Sequence, residues 1–303
     1  MFSFRVQRGT LMDLGRVGIW TFVLDLQPVA RARELAAEIE ELGYGAIWVP
    51  DAVGRDPLVH AALLLGGTKH TVIGTGIAQI YGRDPMSMAA GWKTVTEAFP
   101  GRFVLGLGVS HQPMVEGLRG QTYGPPLTAM REYLDRMDAS MYLAAEPPEP
   151  PRRVLAALGP KMLTLAGERA DGAHPYNVPP EHTARAREIL GPGKLLAPEQ
   201  AVLLETDSAV ARRIARAHLA IYLDLPNYMN NLRRFGITDD DLVDGGSDRL
   251  VDTLVAWGDA DAIRARVQQH LDAGADHVAV QVLEEQRATV PMDDWRELAP
   301  ALL

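Results

Sequence analysis

Short apolar segments alternate with amphipathic helical segments along almost the whole chain, and this alternation restricts the fold more than any other feature. The apolar segments have the length of strands, and the segments between them carry apolar residues at helical spacing. The strand segments fall within residues 16–22, 46–50, 72–85, 102–109, 153–158, 170–178, 199–206 and 276–283. Strands that are each followed by a helix form a parallel sheet, and eight of them favour a closed barrel.

An open, doubly wound sheet is the other arrangement that such an alternation allows. Sheets of that kind usually carry the pattern G-x-G-x-x-G directly after the first strand. Here the first strand leads into TFVLDLQPV, which contains no glycine. The sequence therefore predicts an α/β fold of the (β/α)8 TIM-barrel class.

One segment interrupts the alternation. Residues 226–258 have the pattern of consecutive helices and lie between the seventh and eighth strands. The proline-rich connector 146–151 does not divide the chain, because the same alternation resumes after it. We therefore predict one domain over residues 1–303 with a helical insertion, which forms either a subunit contact or a lid over the barrel.

Charge and composition argue against several classes of function. The chain has 303 residues, a formal net charge of −9 and no Lys/Arg cluster, so nucleic acid is not expected as a partner. It contains no cysteine, and its eight histidines form no H-x-x-x-H pair, so no metal site is predicted. There is no apolar run of about 18 residues and no signal-peptide pattern at the start. We expect a cytoplasmic protein that does not bind a membrane.

The third strand segment contains two glycines in an otherwise apolar run. Gly74 and Gly76 stand inside VIGTGIAQI, although glycine in a strand interior typically costs about 0.5–1 kcal/mol. Two explanations are open from the residues alone. The glycines permit close packing of a helix, or they mark a bulge where the backbone leaves the regular strand.

Four stretches, taken in order, resemble the bacterial-luciferase-like superfamily and, more narrowly, its coenzyme F420-dependent oxidoreductases. These stretches are WVPD after strand two, VIGTGI in strand three, RFVLGLGVSH ending strand four, and AALGPKMLTLAGERADGAHPY over strands five and six. The resemblance covers nearly the whole chain. It implies a TIM barrel that binds the deazaflavin coenzyme F420, with FMN as the alternative cofactor. It also implies a small-molecule substrate and a homodimer.

The resemblance further implies which residues form the site. In the family the third strand carries a bulge with a non-proline cis peptide behind the cofactor ring, which by position joins Gly76 and Ile77. Asp51 is expected to bond the cofactor head group and to share in catalysis. The other cofactor contacts that it implies are Gln79, Val109, Ser110, Leu158, Gly159, Lys161 and Met162. Apart from the resemblance, the ends of strands one and six lie at the barrel mouth, so the residues there are expected to line the substrate pocket: Trp20, Phe22, His174 and Tyr176.

His111 is the candidate for proton transfer. It occupies the position at which related sugar-phosphate dehydrogenases place a glutamate, and an imidazole that titrates near neutrality can move the same proton. Each candidate also has a purely structural explanation. Asp51 and Ser110 could cap helices, His111 could be a loop residue, and Lys161 could be a solvated helix residue. The four pocket residues could serve only in packing.

Two departures from the sugar-phosphate dehydrogenases bear on the substrate. Ala52 replaces the histidine that follows the strand-two aspartate in those enzymes, and His111 replaces their glutamate. The chain after strand six also offers no lysine for a sugar phosphate. We therefore predict hydride transfer between coenzyme F420 and a fairly apolar organic substrate. An FMN-dependent monooxygenase of the same fold and a cofactor-binding protein without turnover are the alternatives.

Overall fold

A computed structural model describes residues 12–286 and 288–303. The strands in this part of the chain are β1 (Val17–Trp20), β2 (Ala46–Val49), β3 (Val72–Thr75), β4 (Ala78–Gln79), β5 (Phe103–Gly108), β6 (Arg152–Leu155), β7 (Gly172–Ala173), β8 (Leu195–Leu196), β9 (Glu199–Leu204), β10 (Val255–Gly258) and β11 (Val278–Val282). All of the strand pairs are parallel, as the alternation with helices predicts.

The helices begin where the sequence supplies residues suited to a first turn. They are α1 (Val29–Glu41), α2 (Pro57–Leu65), α3 (Pro85–Ala98), α4 (Pro126–Asp138), α5 (Pro160–Arg169), α6 (Pro180–Leu190), α7 (Ser208–Leu223), α8 (Pro226–Arg233), α9 (Asp248–Leu254), α10 (Ala260–Asp272) and α11 (Met292–Leu302). Proline in a first turn has the φ that a helix needs and leaves no amide unpaired. Asp56 and Asp84 also accept bonds from backbone amides at the starts of α2 and α3.

The sheet curls until its two sides meet. β1, β2, β3, β5, β6 and β7 lie side by side in that order, and β11 lies between β1 and β9. β8 pairs with β7, and the Ala197 and Glu199 amides continue that contact by donating to Ala173 O at 3.0 Å and Pro175 O at 2.8 Å. β8 and β9 together therefore close the sheet, and the predicted (β/α)8 TIM-barrel fold is confirmed.

The third strand is divided as the two glycines suggest. The Gly76–Ile77 peptide bond is cis, and the chain passes from β3, beside β2, to β4, which pairs with β5. A Cβ on Gly74 would lie 2.4 Å from the Trp48 ring, and one on Gly76 would lie 2.6 Å from the Trp20 indole nitrogen. Gly74 thus permits close packing against a side chain of β2 rather than against a helix, and Gly76 belongs to the bulge.

The barrel interior contains aromatic and histidine side chains as well as aliphatic ones. Trp48 stacks on His174, with ring centroids 4.4 Å apart, and its indole N–H donates to His277 Nε2 at 3.1 Å. Because His277 Nε2 accepts, its proton lies on Nδ1, which donates to Gly15 O at 2.8 Å. Burial lowers the pKa of His174 and of His277 to about 4, so both rings are neutral at pH 7.

The segment 226–258 is not helical to its end. After α8, a short 3-10 turn (Asp239–Asp241) and α9, residues Val255–Gly258 form strand β10. β10 pairs with β9, Val255 lying opposite Ala201. Strand β7 has only two residues and does not extend along β9, so this edge of β9 is left for β10 to pair with. Val255 and Trp257 are also residue types that favour strands. The helical prediction is therefore wrong for these four residues.

No helix among the described residues is long and apolar enough to cross a membrane.

Candidate functional site

A cavity of about 930 Å³ opens at the carboxyl ends of the strands, where enzymes with this fold hold their active sites. The structure brings nearly all of the predicted site residues into its wall. Those that line it are Trp20, Phe22, Asp51, Gly76, Ile77, Gln79, Val109, Ser110, His111, Leu158, Gly159, Met162, His174 and Tyr176. Lys161 is the exception: it is exposed on the first turn of α5 and is not among the residues that line the cavity.

Asp51 is tied to the bulged strand. Its carboxylate is only 6% exposed and accepts from the Gln79 amide and from Arg83 Nη1, both at 3.1 Å. Arg119 Nη2 lies 3.6 Å from the other carboxylate oxygen. The cap of α2 is Asp56, so Asp51 does not serve that helix. Asp51 instead holds β4 in place and gathers two cationic side chains beside the cavity.

His111 follows β5 and lies half-buried in the wall. The preceding Ser110 has a φ of 56°, in the left-handed region, and the π-helical turn at Pro113–Leu118 begins from Gln112. Ser110 therefore does not cap that turn. Burial lowers the pKa of His111, while a hydrogen bond with the Asn227 side chain raises it by a smaller amount. The imidazole is neutral at pH 7, which suits it to accept a proton.

The start of α5 forms a separate corner of the site. Gly159 is the residue before the helix, and a Cβ there would lie 3.6 Å from a guanidinium nitrogen of Arg234. His182 Nε2 donates to Leu158 O at 2.8 Å, and burial lowers the pKa of His182 to about 4. A helix N-terminus beside a guanidinium attracts anions. Arg234, rather than Lys161 alone, therefore supplies positive charge next to the Leu158–Gly159 turn.

Tyrosine side chains form another part of the cavity wall. The Tyr176 hydroxyl donates to Gln281 Oε1 at 2.8 Å, and because a phenol has one proton, the Tyr222 hydroxyl, also at 2.8 Å, donates to Tyr176. The Tyr228 ring packs against Tyr222 with centroids 5.2 Å apart. Burial raises the pKa of Tyr176 and of Tyr228 well above 10, so these phenols remain protonated.

A carboxyl group lies inside the barrel near these tyrosines. Glu199, at the start of β9, is 1% exposed, and its Oε2 accepts from the Asn177 amide at 2.9 Å. Burial raises its pKa to about 8, so the carboxyl is largely protonated at pH 7. Within the described part of the chain, no group hydrogen-bonds to Oε1.

Sequence reasoning missed one wall of the cavity. The residues that it did not identify come from α7, α8 and the turn between them: Arg213, Ile214, Ala217, His218, Ile221, Tyr222, Asp224, Leu225, Asn227 and Tyr228. The stretch IYLDLPNYMN has aromatic and amide side chains around a proline, and this feature could have indicated that the segment contributes to the site. α8 belongs to the segment 226–258, so part of that segment covers the barrel mouth.

No group of three or more His, Cys, Asp or Glu side chains that could hold a metal ion occurs among residues 12–286 and 288–303.

Comparison with known proteins gives a family and two kinds of relative. A Mycobacterium tuberculosis protein, whose name describes it as a candidate coenzyme F420-dependent oxidoreductase, is 27% identical over 333 residues, covering 89% of this chain and 94% of that protein. A solved F420-dependent secondary alcohol dehydrogenase, in complex with an F420–acetone adduct, is similar with a TM-score of 0.76 and 16% identity over 95% of this chain and 99% of that one.

A second solved structure binds a different cofactor. The oxygenating constituent of 3,6-diketocamphane monooxygenase from Pseudomonas putida, in complex with FMN, is similar with a TM-score of 0.66 and 17% identity, over 95% of this chain and 98% of that one. These two structural likenesses show a shared fold. The profile described as luciferase-like monooxygenase matches residues 6–277, which is most of the chain. The chain therefore belongs to the luciferase-like monooxygenase family.

Proposed function

We propose that this protein is an oxidoreductase that transfers a hydride between coenzyme F420 and a small, mostly apolar organic substrate. The observation that carries the proposal is the shape of the cavity: a glycine bulge forms one wall and His111 stands at its edge. The similarity over most of the chain to the mycobacterial relative supports the choice of F420.

The residues of the cavity fit a flat, anionic cofactor. A Cβ on Gly108 would lie 2.4 Å from the Ile77 side chain, and one on Gly76 would meet Trp20, so small residues keep this wall close and flat. The amides at the start of α5, with Arg234 beside Gly159, suit a phosphate. Exposed Lys161 on the same turn would meet the acidic tail of the cofactor.

When bound, the deazaflavin supplies the hydride chemistry. His111 moves the proton that accompanies the hydride, because its neutral imidazole can accept a proton from a substrate hydroxyl. The Tyr228 phenol remains protonated and can donate a hydrogen bond to a substrate oxygen. Leu225 and Tyr228 line the cavity, and their apolar surfaces would limit the entry of water.

We expect the protein to bind coenzyme F420 at micromolar concentration or below, and FMN more weakly. The reason is the positive charge of Arg234 and Lys161. This charge attracts the acidic tail of F420 more strongly than it attracts the single phosphate of FMN. Titration of the purified protein with each cofactor, followed by fluorescence, measures both affinities. Arg234→Ala should weaken F420 binding, whereas Arg233→Ala, an exposed neighbour that pairs with Asp239, should not. Tight FMN binding without measurable F420 binding would reverse the assignment.

Replacing His111 should slow turnover without affecting cofactor binding. General acid–base catalysis typically accelerates a reaction by about 10²–10⁴-fold, so His111→Ala should lower kcat by roughly that factor. His111→Glu should retain part of the activity, because a carboxylate can carry the same proton. Steady-state kinetics with F420 and a panel of alcohols and ketones measures the effect, and the F420 titration serves as the control. Unchanged kcat in the alanine variant would show that His111 is only a loop residue.

The FMN-bound neighbour supports an FMN-dependent monooxygenase as the second candidate. The cofactor titration separates the two, and turnover with any substrate would exclude a cofactor carrier. We also propose that the chain forms one domain and a homodimer, which sedimentation of the purified protein would test.

A further inference from the structure

We propose that His182, on α6, is a positioning residue that directs the backbone N–H of Gly159 toward the phosphate of the cofactor. This inference deepens the proposed function and rests on it, because that function places the phosphate at the start of α5. His182 is the third residue of α6, and Gly159 is the residue before α5. A hydrogen bond from His182 to Leu158 O joins these two parts of the fold.

A single peptide group connects this hydrogen bond to the Gly159 amide. His182 Nε2 donates to Leu158 O at 2.8 Å, which fixes the direction of that carbonyl. The Leu158 carbonyl and the Gly159 N–H belong to one planar trans peptide, in which the C=O and the N–H point in opposite directions. Because the carbonyl is held toward α6, the N–H of Gly159 points away from α6.

The Gly159 amide is available to a ligand. Among the described residues no acceptor takes its N–H, and both Leu158 and Gly159 line the cavity. A guanidinium nitrogen of Arg234 lies 3.6 Å from the position that a Cβ on Gly159 would occupy. The turn therefore has an amide N–H and a guanidinium close together, and both groups donate to phosphate oxygens.

Further contacts hold the His182 ring and the start of α6. The ring packs edge-on against Phe235, with ring centroids 5.6 Å apart and an angle of 61°. Phe235 directly follows Arg234, so His182 contacts the segment that carries the guanidinium as well as the turn. Thr183, the next residue of α6, bonds to His270 Nδ1 at 2.8 Å, and both side chains are buried. His182 therefore acts from a fixed position.

Packing alone does not explain a histidine at this position. The side chain is 1% exposed, and within the described part of the chain no group hydrogen-bonds to its Nδ1. A buried ring nitrogen without a partner destabilises the fold, whereas leucine would fill the space without that penalty. Burial lowers the pKa of His182 to about 4, so the ring is neutral at pH 7 and carries its proton on Nε2. The bond to Leu158 O is the contact that leucine cannot make.

Cofactor titration of purified variants tests the proposal. His182→Leu should raise the Kd for F420 about tenfold, because a misdirected amide loses part of its hydrogen bond to a charged oxygen. His182→Gln should stay within about threefold of the wild type, since the glutamine N–H can reach Leu158 O as the Nε2–H does. The loss in His182→Leu should appear in the KM for F420 rather than in kcat.

Thr183→Val is the matched control. It removes a buried hydrogen bond from the adjacent residue of α6 but does not touch the turn, so it should change the Kd by less than about twofold. His182→Asn gives the same test if the leucine variant does not fold. Its amide is too short to reach Leu158 O, so we expect the loss of affinity seen with leucine.

The Gly159 amide gives a readout that needs no cofactor. In NMR spectra of the free protein, inorganic phosphate should shift the Gly159 amide resonance in the wild type and in His182→Gln, and shift it less in His182→Leu. A wild-type resonance that phosphate does not shift would overturn the inference. Equal Kd values for the wild type, His182→Leu and His182→Asn would also overturn it and leave the proposed function standing. Binding of FMN instead of F420, with the expected pattern among the variants, would contradict the proposed function and support this inference, because both cofactors carry a phosphate.

Discussion

Lowering the pH from 7 to about 4 is expected to unfold this protein, because four buried histidines must stay neutral in the fold. Burial lowers the pKa of His174, His182 and His277 to about 4 and that of His270 to about 3, against an ordinary value of 6.5. Between those values the unfolded chain binds more protons than the native one, so stability falls as pH falls. Each ring then contributes a loss of about 3 kcal/mol by pH 4.

The sum of these losses is comparable to the whole stability of a domain. Four rings give more than about 10 kcal/mol, of which Glu199, already protonated in the fold, offsets about 3 kcal/mol over the same pH range, whereas unfolding free energies are typically about 5–15 kcal/mol. Urea denaturation followed by circular dichroism at pH 7, 6, 5 and 4.5 measures the trend. His270→Gln should have a shallower pH dependence, and His70→Gln, at an exposed position, should match the wild type. Equal urea midpoints at pH 7 and 4.5 would contradict the prediction.

Replacing Glu199 by glutamine should stabilise the protein at alkaline pH. Burial raises the pKa of Glu199 to about 8 from 4.5, so between these values the native state holds a proton that the unfolded chain has lost. Stability from this group is complete below pH 4.5 and is lost as pH rises through 8. At pH 8 the loss approaches about 4–5 kcal/mol. Glutamine does not ionise, and its amide oxygen can accept the bond from the Asn177 amide.

The gain in unfolding free energy from the substitution is smaller than the loss that ionisation of Glu199 causes, because the new amide N–H groups of glutamine also need hydrogen-bond partners. We expect Glu199→Gln to raise the unfolding free energy by about 2–4 kcal/mol at pH 8 and to change it little at pH 5. Denaturation curves at both pH values give the difference. Glu132→Gln, which makes the same change at an exposed position on α4, is the control. A gain of equal size at both pH values, or a loss at pH 8, would show that Glu199 does not retain its proton in the fold.

The barrel could be predicted, and its third strand recognised as irregular, because local sequence encodes both, whereas the choice of a bulge at Gly76 rested on the family resemblance. The strand–helix alternation limits the sheet to a parallel one, and Gly74 and Gly76 can be recognised as unusual within a single strand. Asp51 and His111 could be placed at the mouth for the same reason, since they directly follow strands. Each of these inferences needs only a short stretch of chain and the general geometry of the fold.

The rest of the site depends on contacts between distant segments. Arg234 approaches Gly159, and Tyr228 packs against His111, only because the segment 226–258 folds back over the barrel. Nothing in the local pattern of Glu199 shows that its side chain is enclosed, because it opens an ordinary strand segment. Lys161 shows the reverse error: its position on a first turn favoured a ligand contact, but its side chain is exposed.

The origin of the cavity wall has a consequence for how new activities could arise in this protein. One wall of the cavity is built by α7, α8 and the turn between them, which stand outside the strands that close the barrel. Exchange of residues 221–233 for the equivalent stretch of a relative would therefore alter substrate range while the surfaces for the cofactor ring remain intact. After gene duplication, sequence changes in this stretch alone could give a new substrate range while the barrel stays the same.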